Sequence, residues 1–113
     1  MKKNKSNLIF GAVIVLIILA IFLLWPNEED VTRETMQCIA DHSTLYVSKT
    51  CGHCAHQKEL LGDYLELFEP IDCSENQQEC ISNEIVSVPT WIINGEQHRG
   101  VQELNELKNL TRC

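Results

Sequence analysis

The sequence has no acidic residue before Glu28 and no charge of either sign from Leu8 to Trp25, so its first quarter is built for a different environment from the rest. Basic residues are scarce as well: nine lysines and arginines stand against sixteen aspartates and glutamates, for a formal net charge of −7. Three of those nine, Lys2, Lys3 and Lys5, lie ahead of the uncharged run, and without them the remainder carries −10. Such a surface repels polyanions, which disfavours nucleic acid and anionic lipid headgroups as its partners. Internal repeats and low-complexity tracts are also missing, and 113 residues suffice for one small domain plus an appendage.

What is present begins with the run LIFGAVIVLIILAIFLLW, Leu8 to Trp25. As a helix these residues span roughly 27 Å, close to the ~30 Å hydrocarbon core of a bilayer. The run exceeds the ~7 to 15 apolar residues of a secretory signal, and no small-x-small pair closes it, so an uncleaved anchor is expected. Lysines before it and Glu28, Glu29 and Asp30 after it place the amino terminus in the cytoplasm and the domain outside the cell membrane. The expected division is a cytoplasmic tail over 1–7, a single-pass anchor over 8–25, a linker and helix start over 26–35, and a domain over 36–113.

Within the domain, Asp30 to His42 reads as a short helix with Asp30 as its cap and Met36, Ile39 and Ala40 on one side. Thr44 to Ser48 is β-branched and aromatic and reads as a buried strand. From Cys51 the period becomes helical, with Cys54, Leu61, Leu65 and Phe68 on one face and His56, Glu59, Asp63 and Glu66 on the other. FEPID reads as a strand, SENQQECISNE as a helix beginning near Ser74, and VSVPTWII as a buried strand interrupted by Pro89. Asn94-Gly95 signals a two-residue hairpin, so EQHRG should return as an antiparallel edge strand before a last helix striped by Leu104, Leu107 and Leu110. The alternation predicts an α/β domain with a four-stranded mixed sheet and helices on both faces.

All six cysteines lie beyond the anchor, at Cys38, Cys51, Cys54, Cys73, Cys80 and Cys113, and outside the cytoplasm that number suggests disulfides. Cys51 stands at a helix start, where free backbone N–H groups and the helix dipole favour a thiolate over a free thiol titrating at about 8.5. His53, as a cation, would stabilise that thiolate and make the disulfide more oxidising. Gly52 lets the chain turn tightly there. A redox dithiol at Cys51 and Cys54 is therefore preferred to a static staple. Structural zinc on Cys51, Cys54, Cys73 and Cys80 is disfavoured, because six residues separate the second pair where a ribbon has two. Cys73 and Cys80 are expected to close the loop between the second strand and its helix, which leaves Cys38 and Cys113 to join the first helix to the last. His42, His56 and His98 read as surface or turn residues, and Trp91 as core or groove wall.

Cys51-Gly52-His53-Cys54 before a helix, with Val88-Pro89-Thr90 entering a strand, resembles the thioredoxin superfamily, and the tetrapeptide is similar to that of protein disulfide isomerase. CIADHSTLYVSKTCGHCAHQKELLG and PTWIINGEQHRGVQELNEL look more closely like the small thioredoxin-like domain associated with vitamin K epoxide reductase homologues. The resemblance covers about residues 36 to 113. It implies that Cys51 attacks, that Cys54 resolves, and that Val88-Pro89 is a cis peptide presenting the Val88 backbone to a bound strand, with Thr90 beside it. Thr50 departs from the family, standing where such domains usually carry an aromatic residue, and no acidic residue matches the buried thioredoxin carboxylate.

The expected function is an extracytoplasmic thiol–disulfide oxidoreductase that oxidises or isomerises disulfides of secreted proteins. It would need no cofactor or metal and would exchange electrons with a membrane partner of the vitamin K epoxide reductase type. The rivals are a membrane-tethered thiol reductase of the cytochrome-maturation kind, a redox-inert module that holds a strand, and a zinc-binding domain.

Overall fold

A computed structural model describes residues 3–26 and 31–113, which fall into two compact units, Met1–Asp30 and Val31–Cys113. In the first, Lys3–Leu24 forms helix α1. Its segment Asn4–Leu24 is long and apolar enough to cross a membrane, and none of it is buried against protein. Valine and isoleucine are indifferent helix formers in water. In hydrocarbon, only a helix pairs every backbone N–H and C=O within one segment.

In the second unit, α2 spans Arg33–Asp41. Its cap is Thr32, whose hydroxyl accepts the Thr35 N–H at 3.3 Å. The expected cap, Asp30, and its neighbours Glu28 and Glu29 lie outside the described residues. Met36 and Ile39 are the buried side of α2. β1, Ser43–Val47, buries its last three residues. α3, Gly52–Leu61, stops at Gly62, whose positive φ of 54° an α-helix does not accommodate. The expected continuous helix to Phe68 is thus an α-helix followed by a 3₁₀ turn over Gly62–Leu67, and Phe68 still reaches the core.

β2 is only Ile71–Asp72, because Pro70 offers no N–H and Glu69 has φ +42°. The next helix, α4, begins at Gln77 and ends at Ser82, later than the expected start near Ser74. Asp72 is the reason. Its carboxylate accepts the Ser74 N–H at 2.7 Å and its carbonyl accepts those of Glu75 and Asn76, so these residues form a turn. β3, Thr90–Ile93, starts just after Pro89, and β4 is Glu96–Arg99. Asn94 and Gly95 join them with φ of 52° and 79°, the two positive values a type I′ turn requires. α5 is Leu104–Thr111.

The strands form one mixed sheet in the order β2-β1-β3-β4. β1 runs parallel to β2 and antiparallel to β3, with Leu45 opposite Trp91 and Tyr46 opposite Thr90. β3 and β4 form the terminal hairpin, with Trp91 opposite His98. The core gathers Met36 and Ile39 of α2, Leu45 and Val47 of β1, Cys54 and Leu61 of α3, Phe68, Trp91 and Ile93 of β3, and Leu107 of α5. Phe68 meets Trp91 edge-to-face at 5.5 Å, a geometry that suits the ring quadrupoles.

Candidate active site

β1 delivers the chain to the CGHC turn at one end of the sheet. After Val47 come three residues, and Cys51 then caps α3 in extended conformation. Its sulfur accepts the Cys54 backbone N–H at 3.1 Å, in the role an oxygen-bearing side chain usually fills at a helix start. Cys51 and Cys54 form a disulfide across Cα atoms 5.2 Å apart. The two residues differ in access: Cys51 is partly exposed, whereas Cys54 is 1% exposed and belongs to the core. His53 is exposed in the first turn of α3.

The fold brings Val88 to this turn from 37 positions away. Its carbonyl oxygen lies 3.5 Å from Cys51 Sγ. The Val88-Pro89 peptide is cis, and Pro89 is buried. The Thr90 hydroxyl donates to the Ser87 carbonyl at 2.7 Å, and the Pro89 carbonyl accepts the Gly100 N–H at 2.8 Å, so both flanks of the Val88 peptide are anchored. A shallow groove lined by Ser48, Cys73, Ile85, Val86 and Val88 runs alongside, with Val86 strongly exposed.

A second segment braces the loop that carries Cys51. The Cys73 N–H donates to the Val47 carbonyl at 2.8 Å, and the Ser48 and Ser74 hydroxyls share a hydrogen bond at 3.0 Å. Lys49 pairs with Glu75, whose hydrogen bond and charge raise the lysine's pKa from its ordinary value. The Cys73–Cys80 disulfide, with Cα atoms 5.8 Å apart, closes this segment onto α4. Cys38–Cys113, with Cα atoms 6.0 Å apart, ties α2, which leads into the start of β1, to the residues after α5. Both Cα separations fall in the usual disulfide range. Cys51, Cys54, Cys73 and Cys80, the four cysteines of the ribbon-like spacing, are thus paired two by two.

Sequence reasoning missed Gln57. It is fully buried on α3, three residues after Cys54. Its Oε1 accepts the Trp91 indole N–H at 3.0 Å and the Gln102 backbone N–H at 2.7 Å, and its Nε2 donates to the Gln102 carbonyl at 3.0 Å. The signal was available: position 57 lies three residues after Cys54 and four before Leu61, on the inward face. A glutamine there reads as surface only until its partners are known. No side-chain nitrogen or oxygen buried among the described residues lacks a partner. Of the other histidines, His56 is exposed 3.9 Å from Glu59, His98 is partly buried on β4, and His42 ends α2.

No protein-family model matches the chain.

Proposed function

We propose that the protein is a membrane-anchored thiol–disulfide oxidoreductase of thioredoxin type, with Cys51 as the exchanging sulfur and Cys54 as its resolving partner. One observation carries this reading: Cys51 is partly exposed and its sulfur caps α3, while Cys54 is buried. A thiolate at that position gains from the helix dipole and from the N–H it already accepts. Any partner must therefore form its mixed disulfide with Cys51.

The exchange balances without a cofactor. A thiolate of a reduced secreted protein attacks Cys51 Sγ, the Cys51–Cys54 bond breaks, and Cys54 leaves as a thiolate. A second substrate thiolate then attacks the mixed disulfide and expels Cys51. The substrate has lost two electrons and two protons, and the domain holds a dithiol. A membrane redox partner, of the vitamin K epoxide reductase type by resemblance, takes the two electrons and restores the disulfide. His53, as a cation in the first turn of α3, would favour the thiolate form and thereby the oxidising direction. The Val88 backbone beside Cys51, flanked by Pro89 and Thr90, is suited to align an extended substrate segment. Three lysines before the apolar helix and the acidic residues after it support a cytoplasmic amino terminus and an extracytoplasmic domain.

Trapping in cells tests the assignment. Cys54→Ser should accumulate mixed disulfides through Cys51, and Cys51→Ser should accumulate none. Trapping by Cys51→Ser instead would reverse the roles, and trapping by neither would remove the exchange chemistry.

A further inference from the structure

We propose that Cys38, His42 and Cys113 form a redox-gated site for a thiophilic divalent cation of the zinc type. The site is independent of the exchange reading, since none of its residues belongs to the Cys51 turn: Cys38 and His42 lead into the start of β1, whereas Cys51 follows its end. One ligand atom from each of the three residues falls within 4.8 Å of the others. The scaffold is regular structure. Cys38 and His42 are four apart at the end of α2, so they share one face, and the His42 ring is held there with Nδ1 2.8 Å from the Cys38 carbonyl oxygen. Cys113 follows α5, whose end is fastened by the Cys113 N–H donating to the Lys108 carbonyl at 3.1 Å.

The spacing suits a metal once the disulfide opens. Tetrahedral zinc with Zn–S near 2.3 Å and Zn–N near 2.0 to 2.1 Å sets sulfur and nitrogen about 3.6 Å apart and the two sulfurs about 3.8 Å apart. His42 Nδ1 is already 4.0 Å from Cys38 Sγ. The sulfurs separate by rotation about their own χ1 angles, and the His42 ring gives up the contact of its Nδ1–H with the Cys38 carbonyl, takes the tautomer protonated at Nε2, and binds the ion through Nδ1. Both cysteines are partly exposed and His42 is exposed, so the ion has a path in. Water completes the fourth position.

The step balances. A dithiol reductant gives two electrons and two protons to the Cys38–Cys113 disulfide and becomes a disulfide itself. The ion then displaces one proton from each thiol, leaving two thiolates, a neutral imidazole and a water around a divalent centre. Oxidised, the pair is a staple; reduced and metallated, it is held against reoxidation.

The test uses the full chain in detergent, carrying Cys51→Ser and Cys54→Ser so that the dithiol of the Cys51 turn does not compete. After phosphine reduction it is titrated with Co²⁺ and then Zn²⁺. The expected result is one equivalent of cobalt with tetrahedral d–d absorption and thiolate charge-transfer bands, both removed by zinc. Cys38→Ser or Cys113→Ser should abolish the spectrum. His42→Ala should weaken binding by at least the ~10- to 100-fold that even outer-shell changes produce. His42→Cys should restore affinity with stronger charge transfer from a third thiolate. In the zinc-loaded chain, Cys38 and Cys113 should resist alkylation while Cys73 and Cys80 react. An unchanged cobalt spectrum in Cys38→Ser or His42→Ala overturns the proposal. So does a loss of helical circular dichroism on reduction that zinc does not reverse.

Discussion

Replacing Gln57 with leucine should be among the most damaging changes of near-constant volume in the domain. The side chain is fully buried and makes three hydrogen bonds, at 2.7 to 3.0 Å, to the Trp91 indole and to both backbone groups of Gln102. Leucine fills nearly the same space, so the cavity term is small and the cost lies in the partners left behind. An unsatisfied buried polar group costs about 1 to 3 kcal/mol. Trp91 is fully buried and meets that condition, whereas Gln102 is partly exposed and can recruit water for some of its loss. The sum is about 2 to 4 kcal/mol, a large share of the ~5 to 15 kcal/mol that holds a typical domain. For a domain of this size it corresponds to a fall in Tm of about 10 to 20 °C. Urea unfolding of the full chain in detergent, with disulfides intact, measures it. A double-mutant cycle with Trp91→Phe should show a coupling above ~0.5 kcal/mol, the lower end for residues sharing a bond. A cost for Gln57→Leu below about 1 kcal/mol, or strict additivity with Trp91→Phe, would show that the Gln57 hydrogen bonds do not hold the domain together.

Three further outcomes are expected. Replacing Cys73 and Cys80 together by serine removes a short closed loop, should cost roughly 2 to 3 kcal/mol by chain entropy, and should slow exchange at Cys51, because Ser74 and Glu75 then brace Ser48 and Lys49 less firmly; unchanged stability and exchange rate would remove the bracing role. Burial first, and the Glu79 charge second, raise the Tyr46 pKa above 10.0. The unfolded chain therefore loses this proton first, so stability is retained below about pH 10 and falls as the pH rises through the folded value; Tyr46→Phe should flatten that fall, and identical alkaline profiles would contradict it. Protease added to spheroplasts should digest the domain while sparing the amino-terminal lysines, and a protected domain would overturn the proposed orientation.

The parts of the fold that were legible were those with a strong local signature. Asn94-Gly95 announces the β3–β4 hairpin because both positions need positive φ, and the leucine triplet announces α5. The apolar helix was legible from length and absence of charge alone. Where the local pattern misled, a turn had displaced it. Asp72 captures the N–H groups of the next residues and delays α4, and Gly62 ends α3 inside an unbroken apolar period. The Cys51–Cys54 turn is readable because its two cysteines are three positions apart. Its surroundings are not, since Val88 and Gln57 gain their meaning from residues 37 and 45 positions away. The same holds for His42 beside Cys38 and Cys113, two cysteines 75 positions apart that join α2 to the residues after α5.

The reduction potential of the Cys51–Cys54 pair distinguishes an exchanging dithiol from a static disulfide. The full chain in detergent would be equilibrated in graded glutathione and dithiothreitol buffers, and its thiols trapped and mapped. A helix-capping Cys51 with His53 beside it should give a value near the isomerase figure of about −180 mV, well above the thioredoxin figure of about −270 mV. That gap of about 90 mV is roughly 4 kcal/mol, or about a thousandfold in the equilibrium constant, and it separates an oxidant from a reductase. A pair that stays oxidised until below about −300 mV would be a structural disulfide, and the exchange chemistry proposed for Cys51 would be contradicted.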